Sequence, residues 1–316
     1  MADLPLCRLQ PHTPPYHNTS VDLFGPMNVR ISRNKTAKVY GVLFTCLMVR
    51  GVYIEIATDY STEGFLIVLR RFFTVRGYPH TLWSDRGSQL VGADAELRRA
   101  VEGWDQEELK KFCQDRQMKW QFFTPTAAHQ NGCAESMIKT TKLAIKRAIG
   151  DQCLASMELQ TVLFEVTDLV NSRPIGRSTN DPDDGPYLSP NDLLLGRAST
   201  TIPQGPFRET KNPRHRFEFC QKLVERWWVR WYQDVFPNLV PRRKWHQSQR
   251  DISVGDYVLV KDPNPIRGQL NKGVMLEVFP GKDGKIRNVR IKTAQGRYER
   301  PITRIVVIYP VEGYQD

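Results

Sequence analysis

The chain has 316 residues, and 45 Lys+Arg against 34 Asp+Glu give it a formal net charge of +11 at pH 7. That length exceeds one compact core, so two or three domains are expected. No apolar run approaches the roughly 20 residues that span a bilayer, and the start lacks the basic and apolar regions of a signal peptide. An intracellular protein with no membrane partner is the expectation.

In chain order, residues 1–19 read as an extended lead-in rich in Pro, His and polar residues. "SVDLFG" and "KVYGVLFTCLMVRGVYIEIATD" are β-branched and aromatic, as strands are, with a break at the Gly-Val near 51. "STEGFLIVLRRFFTVRG" predicts a helix, with Ser61 or Thr62 as N-cap and Gly77 just past its end. "HTLWSD" is a short strand ending at Asp85, residues 93–116 are helical in pattern, and "KWQFFTP" is another strand. In the helix after "HQNG", Glu135, Lys139, Lys142 and Lys146 share a stripe about 60° wide. Met137, Ile138, Thr141, Ile145, Ala148 and Ile149 cluster on another side, suited to a core. A further helix covers about 154–171 and ends at "NSRP". Residues 176–215 are rich in loop signals, with a short helix starting near Asn191. Residues 216–235 form an aromatic helix, in which Trp227, Trp228 and Trp231 at helical spacing fit packing better than base stacking. Residues 251–308 alternate between turns and five short strands, the pattern of a small barrel.

The charge is unevenly spread. Residues 201–316 hold 22 Lys+Arg against 12 Asp+Glu, and residues 1–200 hold 23 against 22, so the basic excess sits in the last third. A localised excess of this kind suits a polyanion, nucleic acid ahead of an acidic membrane. Six cysteines without a C-x-x-C pair, and six histidines without H-E-x-x-H spacing, argue against a disulfide framework and a zinc site. Free thiols suit a reducing compartment.

Strands followed by strand–helix alternation over about 20–150 indicate an α/β domain. Asp22 and Asp85 lie in or at the end of apolar strands, where active sites of α/β sheets form. With Glu135 they leave 62 and 49 intervening residues. Three such acids can converge on hard divalent cations, which prefer oxygen ligands.

The flanking text is more specific. "VDLFGP", "SDRGSQL" and "PTAAHQNGCAESMIKTTK", with the "RGVYIEIATDYSTEGFLIVLRRFFTVRGYP" block between them, resemble the catalytic blocks of retroviral-type integrases. "ELQTVLFEVTDLVNSRPIG", "YLSPNDLLLGRAS", "WHQSQRDISVGDYVLVKD" and "VMLEVFPGKDGKIRNVRIKT" extend the likeness to the integrase region of BEL/Pao-type LTR retrotransposon polyproteins, from about residue 3 to 309. The resemblance implies an RNase H-like catalytic core over 20–175, a loop-rich and helical connector over 176–250, and a basic SH3-like β-barrel over 251–310. It implies metal-dependent 3′-end processing and strand transfer, with Asp22, Asp85 and Glu135 binding a pair of Mg²⁺ or Mn²⁺ ions. Lys139 and Lys142 match DNA-contacting positions, Lys146 on the same stripe is a further candidate DNA contact or a helix ion-pair residue, and Asn131 and Gly132 match the loop bordering the reacting phosphodiester. The implied partners are retroelement DNA ends, target DNA and further copies of the chain, in the nucleus after a cytoplasmic particle stage.

Two departures stand out. Arg86 occupies the position after the second aspartate, where the family has Asn. The His/Cys zinc-binding domain that precedes the core in the family is not in this sequence, which is therefore expected to be shortened at its start. Both leave room for a catalytically inactive, integrase-derived DNA- or chromatin-binding protein, or for a plain metal-dependent nuclease.

Overall fold

The computed structural model describes residues 13–59, 61–84, 105, 107, 109, 111, 118–122, 132–150, 152–177, 187–196, 216–239, 252–262, 267–268, 270–281 and 284–310. It divides into two compact units, 1–171 with 190–198 and 207–227, and 172–189 with 199–206 and 228–316.

The first unit is built on a mixed sheet. β1 (Asn18–Ser32), β2 (Lys35–Cys46) and β3 (Val52–Ala57) run antiparallel, while β4 (Thr81–Ser84) and β5 (Lys119–Phe122) continue from β1 in parallel. The order is β3-β2-β1-β4-β5, with the short β6 (Leu154–Ala155) also on β1. The expected α/β class is borne out. β1 is longer than the "SVDLFG" reading. It continues through Gly25 and Pro26 because one extra residue bulges out between Phe24 and Met27. The bulge takes the proline, which has no N–H to donate, out of the ladder, and Gly25 supplies its φ of 125°.

α1 (Thr62–Arg76) starts at Ser61, whose hydroxyl accepts from the Gly64 N–H at 2.9 Å. It ends where the Gly77 N–H donates to the Phe73 carbonyl at 2.9 Å, at a φ of 86° that suits glycine. Phe65, Val68, Leu69, Phe72 and Phe73 of α1 pack on Val21, Leu23, Val42, Phe44 and Tyr53 of the sheet. Phe44 and Phe72 stack with centroids 4.1 Å apart.

α2 (Gly132–Ile149) and α3 (Ser156–Asn171) follow, and α3 packs on β3 and β1. β3 is the outermost strand, and side chains close its outer edge. Asn171 accepts from the Val52 N–H and donates to the Val52 carbonyl, both at 2.8 Å. Arg71 donates to the Ile56 carbonyl at 2.5 Å, and Glu55 accepts from the Ile56 N–H at 3.2 Å. Glu55 is itself buried beside the Tyr53 hydroxyl at 2.9 Å. α4 (Pro190–Leu195) is the short helix expected near Asn191. The helix expected over 93–116 lies almost wholly outside the described residues. α5 (Arg216–Leu239) is the aromatic helix; its Arg216 pairs with Glu158 at 2.8 Å, and its Gln221 donates to Glu165 at 2.7 Å.

In the second unit a two-residue pairing joins β7 (Gly176–Arg177) to β8 (Tyr187–Leu188). The five C-terminal strands are present as expected: β9 (Tyr257–Val260), β10 (Lys272–Pro280), β11 (Ile286–Thr293), β12 (Gly296–Pro301) and β13 (Ile305–Tyr309). They form one sheet in the order β12-β11-β10-β9-β13, with no hydrogen-bonded pairing between the edge strands β12 and β13. Only the 3₁₀ turn Ile302–Arg304 joins the two edge strands. Four steps of chain reach about 14 Å, less than the roughly 19 Å across five flat strands, so the sheet curls without hydrogen-bonded closure. β12 is mostly exposed and carries Arg297, Glu299 and Arg300, a polar strand that gains little by pairing. Val258, Val260, Met275, Val289, Ile291 and Ile305 fill the inside of the curl. Trp228, Trp231 and Tyr232 of α5 are buried, as packing residues, and the Tyr232 hydroxyl accepts from the Asp262 N–H at 2.9 Å.

No helix among the described residues is long and apolar enough to cross a membrane. Cys46, Cys153 and Cys220 carry free thiols.

Candidate active site and nucleic-acid interface

Alternation along β1 sends Val21 and Leu23 into the core under α1, and Asp22 and Phe24 to the other face. Asp22 is partly buried. Its Oδ1 accepts from the Leu23 N–H at 2.7 Å, and its Oδ2 carries the ammonium of Lys142 from α2. The same ammonium donates to the Leu23 carbonyl at 3.1 Å and lies 6.0 Å from the centre of the Phe24 ring. Phe24 has room because Gly41 is its cross-strand partner. A Cβ at Gly41 would stand 2.2 Å from the Phe24 Cζ, so the strand needs glycine there. Glycine inside the apolar run of β2 is the sequence signal for this close approach. The contact of Lys142 with Asp22 and Leu23, the latter 119 positions away, has no local signal.

β1 and β4 pair in register up to Val21 and Ser84, the residues immediately before Asp22 and Asp85. Asp85, Arg86 and Asn131 lie outside the described residues. Glu135 is described only as a backbone position in the first turn of α2, and Gly132 opens that helix where the sequence suggested a loop. Farther along α2, Thr141, Ile145, Ala148 and Ile149 are buried as the periodicity requires, joined by Ala144. Lys139 and Lys146 are exposed, and Lys142 is partly buried by its bond to Asp22.

Among the described residues no group of three or more His, Cys, Asp or Glu stands together as a metal site. Two of the three triad side chains fall outside that set. Asp22 taken singly has the chemistry of a hard-cation ligand: one oxygen is fixed by the backbone, and the other is already paired with a cation, the Lys142 ammonium.

The curled C-terminal sheet encloses a cleft of about 590 Å³ whose lining includes Lys261, Asn271, Tyr298, Arg300 and Arg304. Its carboxylates are engaged: Asn271 donates to Asp262 at 2.7 Å, and Arg290 donates to Glu299 at 2.6 Å. The Arg300 guanidinium lies 5.2 Å from the centre of the Tyr298 ring. An aromatic face beside arginines suits a phosphodiester or a base. Burial pushes the Lys272 amine of β10 down to about 8.

A protein-family profile described as a family of unknown function (DUF5641) matches residues 215–308. No curated protein matches the chain. Among solved structures, a chain of the simian T-cell lymphotropic virus intasome in complex with the PP2A regulatory subunit B56 gamma is similar at 10% identity. That match covers 93% of this chain and 79% of the other, with a TM-score of 0.36. The HTLV-2 integrase catalytic core domain in complex with magnesium, in its trimeric form, is similar at 14% identity, covering 52% of this chain and 91% of the other, with a TM-score of 0.33. Its dimeric form gives 14% identity, 50% and 88% coverage, and a TM-score of 0.32. Superpositions this loose carry no argument about the site, which stands on its own geometry.

Proposed function

We propose that the chain is a retrotransposon integrase of the BEL/Pao type, a polynucleotidyl transferase that trims element DNA ends and joins them to target DNA. The observation that carries this reading is Lys142 seated on Asp22, because it sets the Glu135 helix against the Asp22 strand. The end of the β1–β4 ladder, just before Asp22 and Asp85, agrees with it.

In this reading residues 20–175 are an RNase H-like core, 176–250 a connector, and 251–310 a basic β unit that grips DNA backbone. Asp22, Asp85 and Glu135 hold the cation. These residues would hold Mg²⁺ or Mn²⁺, expected as a pair, which would supply Lewis acidity for the phosphoryl transfer. Asn131 and Gly132 border the reacting phosphodiester, and Lys139, Lys142 and Lys146 take phosphates. Water cuts the element's 3′ end, and the freed 3′-OH then attacks a target phosphorus. One P–O bond forms and the P–O3′ bond breaks, with no covalent enzyme intermediate. The chain acts as a homo-oligomer on DNA in the nucleus, since two element ends must be joined together.

A second reading, a silent integrase-derived DNA- or chromatin-binding protein, is favoured by Arg86, a cation next to Asp85 in the sequence. One assay tests both. The protein is incubated with a labelled pre-trimmed duplex and plasmid target in Mg²⁺ or Mn²⁺, beside Glu135→Gln. Metal-dependent joined product lost in Glu135→Gln supports the integrase. Nicking without joining points to a nuclease, and salt-sensitive DNA binding with neither reaction leaves the silent binder.

A further inference from the structure

We infer that Lys142 is the resident counter-ion of the Asp22 carboxylate. Its ammonium and a divalent cation compete for the same oxygen, so that cation binding frees Lys142 for a phosphate. The inference rests on the reading of Asp22 as a cation ligand.

Asp22 presents Oδ2 as the more open oxygen to an incoming ion. Oδ1 already accepts from the Leu23 N–H at 2.7 Å, and Oδ2 is where Lys142 sits. The lysine is seated there by three groups: the carboxylate, the Leu23 carbonyl at 3.1 Å and the Phe24 ring at 6.0 Å. Its side chain is 18% exposed, whereas Lys139, one turn earlier on the same helix, is exposed. The two lysines of one stripe therefore do different work: Lys139 faces solvent, and Lys142 neutralises a ligand. An ammonium and a divalent ion on one carboxylate oxygen repel at contact distance, where screening by salt is weak. One must leave. The four-carbon lysine stem is flexible enough to swing away while its root stays in the helix. Cation and nucleic acid then bind in order, the first exposing a charge for the second.

The test follows Mn²⁺ binding by loss of the free-ion paramagnetic resonance signal, on the full chain without DNA. Lys142→Gln and Lys142→Met are each expected to tighten Mn²⁺ binding by roughly fivefold, the upper range for one partly exposed ion pair. Lys139→Met is expected to change it less than about twofold, and Asp22→Asn to abolish it. Lys142→Gln keeps an N–H for the Leu23 carbonyl and decides the matter if Lys142→Met does not fold. Mn²⁺ held equally by wild type and both Lys142 variants, yet lost in Asp22→Asn, overturns the competition and leaves the cation reading standing. Equal tightening in Lys139→Met also overturns it, by showing only a general effect of charge. Mn²⁺ binding that ignores Asp22 overturns the cation reading together with the inference.

Discussion

Removing the Asn171 side chain tests whether a side-chain amide can stand in for a neighbouring strand. Asn171 and Val52 are 1% and 2% exposed, and the two 2.8 Å bonds between them satisfy the outward N–H and C=O of Val52. In Asn171→Ala both backbone groups lose their partner inside the protein. A buried group left without a hydrogen bond costs about 1–3 kcal/mol, so about 2–4 kcal/mol is expected for the pair after partial relaxation. Asn171→Asp should be worse at neutral pH. It keeps an acceptor for the Val52 N–H but turns a charged oxygen toward the Val52 carbonyl. The chain has two units, so a global unfolding curve mixes transitions; amide hydrogen exchange at Val52 reads the site itself. Protection there should fall by roughly thirtyfold or more in Asn171→Ala, and further in Asn171→Asp. A change worth less than about 0.5 kcal/mol, or an aspartate milder than the alanine, would refute the reasoning.

Two pH effects follow from other residues. The His17 pKa is lowered from 6.5, first by burial and then by His80, whose ring stacks on it at 4.9 Å. The folded value lies below the unfolded one, so this stability is present above about pH 6.5 and is lost as the pH falls through the folded pKa. The urea midpoint of the first unit, followed by NMR signals of its own residues, should drop between pH 7.5 and 5.5, and His17→Gln should flatten that fall. Lys272 titrates at about 8 because burial disfavours its charge. Its cost to folding is full below about pH 8 and is relieved as the pH rises toward 10.5, so Lys272→Met should stabilise the C-terminal unit at pH 7. A side-chain NMR titration with its midpoint above about 10 would refute the burial argument.

What the sequence made legible was periodic or local. The core stripe of α2, the Ser61 cap of α1, the packing role of Trp228 and Trp231 and the count of C-terminal strands all depend on neighbours within a few residues. Gly25-Pro26 reads as the end of a strand, and only pairing with β2 shows that the ladder bulges and resumes. Closure of the C-terminal sheet was not legible because alternation fixes which face is buried but not which edges pair. Asn171 reads as a helix-ending residue before "SRP"; its partnership with Val52 arises only once α3 lies on β3. The same holds for the candidate site. Residue types named Asp22 and Lys142, but their contact belongs to the packing of α2 on β1.

The closed edge of β3 bears on aggregation. An outer strand with Val52, Ile54 and Ile56 would ordinarily template growth by strands of other molecules. Asn171 blocks one end of that edge and Arg71 with Glu55 the other, leaving Ile54 between two plugs, too short a gap to recruit a new strand. Protection of this kind depends on helices that form after the strand has been made. While the polypeptide is emerging, β3 is complete before Arg71, and well before Asn171, so the hazard of aggregation is greatest in that interval. Conditions that loosen α3 without unfolding the sheet would reopen it, and precipitation would then set in ahead of global denaturation.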